Sequence, residues 1–182
     1  FEKRKFLFGN RPSIADIGFS GPFFRHFALD PVPLEIIRQK APYVLSWVSN
    51  LWNARVSKIN NDFEEGIPKD LEPLFREIGK VYLPYLSANV DAVKQNKTKF
   101  DFKFGNVFLK KARYSLYRVW CLKELRDRYN KLEEKEKTQV EILLKKFGCW
   151  EPLWRDKNLP LMDNQEEELP FRADRKMLGV NE

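Results

Sequence analysis

The sequence predicts an all-α fold, a helical bundle that carries one small β-hairpin. Apolar residues recur at three- and four-residue spacing through most of the chain, and helix-start and helix-stop residues stand at the ends of those stretches. Strict alternation appears once, on either side of Gly105-Asn106. Fifteen Phe, six Tyr and five Trp in 182 residues point to a core of large rings.

The first helix-start signal is RPSIADIG. Ser13 is the expected N-cap and Asp16 stands three residues on, a capping box with Asp in place of the usual Glu. Ile14, Ile17, Phe24 and Phe27 are its apolar positions. Ala15, Gly18, Ser20 and Gly21 are small enough to let a neighbour approach. Pro22 is expected to bend this helix or end its first half.

Two helices follow, with Pro33 and Pro42 in their first turns. Val44, Trp47, Val48, Leu51 and Trp52 form the buried stripe expected of the second. Residues 57–69 are polar with Gly and Pro, and read as a linker. The next helix starts near Asp70, keeps Leu71, Leu74, Phe75, Ile78, Tyr82 and Tyr85 on one face, is kinked by Pro84 and ends near Lys97.

The alternating stretch around 100–111 turns at Gly105-Asn106 in type I′ or II′ geometry. That register sets Phe102 opposite Leu109, Phe104 opposite Val107 and Asp101 opposite Lys110. Two strands are marginal alone, so the Phe face is expected to lie on helices. From Ala112 a long helix carries the stripe Tyr114, Tyr117, Cys121, Leu125, Tyr129 and Leu132, widened by Leu116, Val119, Trp120 and Leu122. The last helix, around 133–147, buries Val140, Leu143, Leu144 and Phe147 and is capped by Gly148. Its acidic start, Glu133 and Glu134, suits the positive end of the helix dipole. Residues 156–182 read as an extended tail.

The formal net charge is +7, from 33 basic and 26 acidic residues. Both signs run along the chain, so the surplus reads as a solvated surface that allows, without indicating, nucleic acid or an anionic membrane. Lys94, Lys97, Lys99, Lys103, Lys110, Lys111 and Arg113 surround the hairpin. Because alternation puts Phe102 and Phe104 opposite Lys103, a lysine-protected edge is expected and nucleic-acid binding is not. No apolar run approaches the ~18 residues of a spanning helix, so no membrane partner is expected and the cytoplasm is the default location.

Two cysteines and one histidine leave no zinc pattern of standard spacing. Cys121 and Cys149 read as packing residues, and His26 as a structural or surface histidine. The chain enters in mid-pattern at Phe1, as expected of a piece of a longer protein.

The stretch FLFGNRPSIADIGFSGPFFRHFALDPVPLEIIRQKAPYVLSWVSNLW resembles the C-terminal helical domain of glutathione S-transferases. The resemblance is carried by Phe6 to Gly9, Arg11-Pro12, the run Ser13-Ile14-Ala15-Asp16-Ile17, and Ala41-Pro42-Tyr43 with Trp47. It implies a bundle of that family's type, with residues 1–56 a partial helical domain, 57–69 a linker, 70–155 a helical extension holding the hairpin, and 156–182 the tail. The resemblance makes Ser13 and Asp16 a folding element and Ile17 their buried neighbour, and no catalytic, cofactor-binding or metal residue is carried over. The family binds glutathione mainly in an N-terminal thioredoxin-like domain. Nothing in this chain reads as that domain, so glutathione is expected for the parent protein only.

Tyr114, Tyr117 and Trp120 are the candidates for an apolar substrate pocket, against the plainer reading that they are core. Two functions follow from the resemblance. The chain is the C-terminal portion of a transferase, contributing fold and an apolar pocket without being catalytic itself, or it is a non-catalytic interaction module of the same fold. A homodimer is the oligomer the family suggests.

Overall fold

The expected helix start at Ser13 forms. In the computed structural model, which describes residues 1–59 and 62–160, Ser13 has extended backbone and its Oγ accepts the Asp16 N–H at 3.3 Å. The Asp16 carboxylate accepts the Ser13 N–H in return, at 2.8 Å. Helix α1 (Ile14–Pro22) follows. At Pro22 the α-helical pattern gives way to a π-helical turn, Phe23–Phe27, because the proline supplies no N–H and crowds the preceding turn.

Contacts divide the chain into two units, Phe1–Glu72 and Pro73–Glu182. In the first, α2 (Pro31–Lys40) and α3 (Pro42–Trp52) each start on a proline, whose missing N–H is no loss in a first turn. Two burial expectations fail here. Ile17 is 63% exposed, and the residue of α1 that is wholly enclosed is Asp16. In α3 only Trp47 is buried, while Trp52 is 74% exposed. The stripe predicted by spacing is present in α3, but its far end is only partly covered, with the Phe24 ring edge-on to Trp52 at 5.3 Å.

The stretch read as a linker folds back on the start of the chain. After a 3-10 turn at Val56–Lys58, the Glu64 N–H donates to Phe8 O at 2.9 Å and the Asn10 N–H donates to Asp62 O at 3.0 Å. Gly9 sits in this junction at φ +130°, where a Cβ would lie 2.6 Å from Asp62 O. Only glycine fits that backbone and that space. Arg4 then clamps Asp70 through two bonds of 2.9 and 2.7 Å.

That clamp holds the Asp70 carboxyl below its ordinary value. A depressed carboxylate stabilises the fold above its unfolded pKa of about 4, and the contribution fades as pH falls through the lower folded value. Asp70 is 58% exposed, so the effect stays under ~1 kcal/mol. Arg4→Ala should therefore remove a small acid-side slope from a stability–pH curve of urea midpoints and leave the curve unchanged in shape near neutrality.

The second unit is built around α5 (Leu83–Lys94), in which Leu86 and Val90 are fully enclosed. It is preceded by α4 (Glu72–Glu77) and a π-helical turn, Ile78–Tyr82. This widened turn leads directly into Pro84, the expected site of distortion, which here lies in the first turn of α5. Asn96, at φ +52°, closes α5, with the Lys97 N–H donating to Ala92 O at 2.9 Å.

The hairpin, β1 (Lys99–Phe104) and β2 (Val107–Arg113), has the expected pairs Phe102–Leu109 and Phe104–Val107. Gly105 takes φ +52° and Asn106 does not follow it into the positive region, which selects the II′ type of turn. The Asp101–Lys110 pairing is corrected by an irregularity in the register between Phe100 and Phe102. Lys111 turns to φ +53° there, and its N–H donates to the Asp101 carboxylate at 2.7 Å. The Phe side rests on α5, where the Tyr85 ring meets Phe100 and Phe102 at 5.7 and 5.3 Å.

Helix α6 (Leu116–Asn130) turns a different face inward from the one its aromatic spacing suggests. Val119, Leu122 and Arg126 are buried, while Tyr117 and Leu125 are exposed. Arg126 can be buried because its Nε and Nη1 donate to Leu153 O and Asp156 O, at 2.8 and 2.6 Å. Helix α7 (Glu134–Lys146) ends as expected on Gly148, at φ +69°, with the Cys149 N–H donating to Leu144 O at 2.8 Å. A short α8 (Trp150–Trp154), not expected from the sequence, stacks Trp150 and Trp154 around Tyr129. Of the expected tail, Asp156 is buried and residues 161–182 lie outside the described residues. No helix among the described residues is long and apolar enough to cross a membrane.

Candidate functional site

Asp16 is the most heavily bonded side chain of the first unit. Its carboxylate, fully enclosed, accepts from the Leu7 N–H at 2.9 Å, the Ser13 N–H at 2.8 Å, the Ser13 hydroxyl at 2.6 Å and the Trp47 Nε1–H at 2.8 Å. Three chain segments meet there: the turn at Leu7, the first turn of α1 and the middle of α3. A carboxylate has about four acceptor positions, and all are taken by the fold. Nothing is left for a substrate proton, so the chemistry of this group is to tie segments together. The Trp47 ring is held in turn by Phe1, stacked at 5.4 Å, and by Phe23, edge-on at 5.1 Å.

The three residues expected to line an apolar pocket lie together at the start of α6, on its outward side. Tyr114 is exposed, Tyr117 is 52% exposed, and the Tyr117 and Trp120 rings stack at 5.6 Å. Two half-open apolar pockets of the second unit are lined by other residues. A cavity of about 360 Å³ is walled by Phe75, Leu83, Tyr129, Leu144, Cys149 and Leu153 among others. A shallower groove of about 400 Å³ runs under the hairpin, between Ile78, Tyr82 and Tyr85 on one side and Phe102, Phe104 and Leu109 on the other. Both have volumes ordinary for small-molecule sites. Cys149 was legible only as the residue after a helix cap. Its place in a cavity wall depends on the turn at Gly148 carrying it under the π-helical turn that begins at Ile78.

Burial pushes both thiols up from their ordinary value. The Cys149 Sγ–H also donates to Phe75 O at 3.3 Å. Cys121, half-buried, lies beside Tyr117 and Arg118, whose influence runs in the opposite, lowering direction. A thiol reacts as thiolate, so alkylation of the folded chain near neutral pH should mark Cys121 first and slowly. Cys149 should react only after urea unfolding, as a peptide map of the labelled protein would show. His26 is an exposed side chain whose Nδ1 stands 3.6 Å from Asp30, four residues on, a partner the sequence reading passed over. Among the described residues no group of His, Cys, Asp and Glu is arranged to hold a metal ion.

The capping box at Ser13 and Asp16, with its leading loop and the Ala41-Pro42-Tyr43 helix that holds Trp47, carried the family resemblance, and in the fold the Asp16 carboxylate joins these segments. Residues 1–54 match the family described as Glutathione S-transferase, C-terminal domain. No curated protein and no solved structure matches the chain. The glutathione S-transferase match takes in α1, α2, α3 and the whole Asp16 cluster, and stops before the turn at Val56. The second unit, with its cavity and its hairpin, lies outside it.

Proposed function

We propose that the chain is the C-terminal portion of a glutathione S-transferase-like protein, in which it supplies fold and an apolar substrate-side wall and is not itself catalytic. The observation that carries this reading is the coincidence of the family match with the Asp16 cluster, a carboxylate wholly spent on folding. Glutathione and the thiol-activating residue then belong to an N-terminal thioredoxin-like domain of the parent, which works in the cytoplasm and pairs as a homodimer. The apolar wall is the cavity bounded by Phe75, Tyr129 and Cys149, in place of Tyr114, Tyr117 and Trp120.

The test is to read the coding sequence upstream of Phe1 and assay the whole product for retention on immobilised glutathione and conjugation of an aryl halide. A thioredoxin-like domain with conjugating activity is the expected result, and an unrelated upstream domain would end the proposal. A second reading, a non-catalytic interaction module, is favoured by the apolar surface on α1 and α2, where Ile14, Ile17 and Val32 are all exposed. It gains the field if the thioredoxin-like domain is present and neither retention nor conjugation is found.

A further inference from the structure

We propose that the tip of the β1–β2 hairpin docks onto the surface of an anionic lipid bilayer, an interaction that goes beyond the transferase-like reading. The first observation is where the charge sits. Residues 94–118 hold eight Lys or Arg and one acid, Asp101, a surplus of +7. The whole chain has a net charge of +7, from 33 basic and 26 acidic residues. Outside this segment the two signs therefore balance, at 25 each. The mixing of charges that suggested an evenly solvated surface holds for the rest of the chain and fails here. The single acid is exposed and bonded to the backbone of its own hairpin, its Oδ1 accepting the Lys111 N–H at 2.7 Å.

The second observation is what stands among those cations. Val107, Phe108 and Leu109, consecutive residues directly after the turn, are 48%, 48% and 40% exposed. Strand alternation sends Val107 and Leu109 to one face and Phe108 to the other, so apolar surface surrounds the tip on both sides. Phe108 shares its face with Lys103, its cross-strand partner, and with Lys110, whose ammonium lies 5.7 Å from the ring. The alternation argument that hid Phe102 and Phe104 from the lysines thus leaves Phe108 beside them.

An apolar end with cations set back along the strands is the arrangement that places rings and aliphatic groups at the headgroup–acyl boundary and ammonium groups among lipid phosphates. A single-stranded nucleic acid would use the same cations, but it needs flat rings on which bases stack. Two of the three exposed tip residues, Val107 and Leu109, have none. The lack of a spanning helix among the described residues does not bear on an attachment of this kind.

The full chain should sediment with vesicles of phosphatidylcholine containing about one-third phosphatidylserine and stay in solution with phosphatidylcholine alone, with binding falling as salt rises. Lys103→Glu with Lys110→Glu should weaken it at least about twentyfold. Phe108→Ala, a change at a half-exposed site that leaves the fold in place, should weaken it several-fold. Lys131→Glu with Lys135→Glu, the same charge change near the start of α7, should leave most of it. Equal sedimentation with both vesicle types, hairpin variants that bind like the parent, or a control pair that loses as much as the hairpin pair would each overturn the proposal. So would a single-stranded RNA that binds the chain when phosphatidylserine vesicles do not.

Discussion

Asp16→Ala should lower the unfolding free energy of the first unit by about 3–5 kcal/mol, the lost cap together with two buried donors left without an acceptor. The cap alone would predict ~1 kcal/mol, and that is the value expected for Ser13→Ala. The difference lies in what Asp16 does beyond the cap. Its loss strands the Leu7 N–H and the Trp47 Nε1–H, both away from water, besides opening the Ser13 turn. Each buried donor left without an acceptor costs about 1–3 kcal/mol. Trp47 serves as the probe in a background where the other four tryptophans are Phe: a urea titration followed by its fluorescence should show the midpoint of Asp16→Ala well below that of Ser13→Ala, with a red-shifted emission before unfolding as the indole loses its carboxylate and admits water. Equal midpoints for the two variants would show that the carboxylate is only a cap.

Gly79→Ala should destabilise the second unit by about 2–4 kcal/mol, and the sign is the informative part. By helix propensity the change is favourable by nearly 1 kcal/mol. Packing opposes it, because a Cβ at residue 79 would lie 2.6 Å from Gly148 O and 2.9 Å from Phe147 O. Those are backbone atoms of the left-handed cap that ends α7, held by the Cys149 N–H to Leu144 O bond. They can move only by undoing the cap. The variant should melt at a lower temperature in the transition reported by α7, and Cys149, which lies against the Gly79 backbone, should become open to alkylation in the folded state. A melting temperature at or above that of the parent chain would mean that the turn yields easily and that propensity wins.

The contrast between these two residues shows what was legible beforehand. Ser13 and Asp16 announce themselves because a capping box is a local device, written within four consecutive positions. The left-handed stop at Gly148 and the Phe102–Leu109 register are local in the same sense. The buried partners of Asp16 were not legible: Leu7 is nine residues away and Trp47 thirty-one, and no spacing rule connects them. Gly79 carried no signal at all, since its need for glycine is set by a turn that follows almost seventy residues later.

The inward face of α6 differs from its aromatic stripe for a related reason. Tyr117, Cys121 and Leu125 satisfy helical periodicity as well as Val119, Leu122 and Arg126 do, and an amphipathic pattern ranks faces only when the opposite face is polar. In α6 both faces carry apolar groups, and Arg126, whose guanidinium donates to two carbonyls, took the inside.

What the amino-acid order determined by itself was most of the elements: roughly where the longer helices begin and end, where the hairpin turns, and the capping box at the first helix, with α8 left out. Each is decided by hydrogen bonds and backbone preferences among near neighbours, so a short window holds all the information. Which face of each helix became interior, which carboxylate became a hub and where enclosed space remained were decided only by the tertiary structure. Those outcomes depend on which distant groups arrive to cover a surface or fill a hydrogen-bonding position, and arrival is a property of the packed chain.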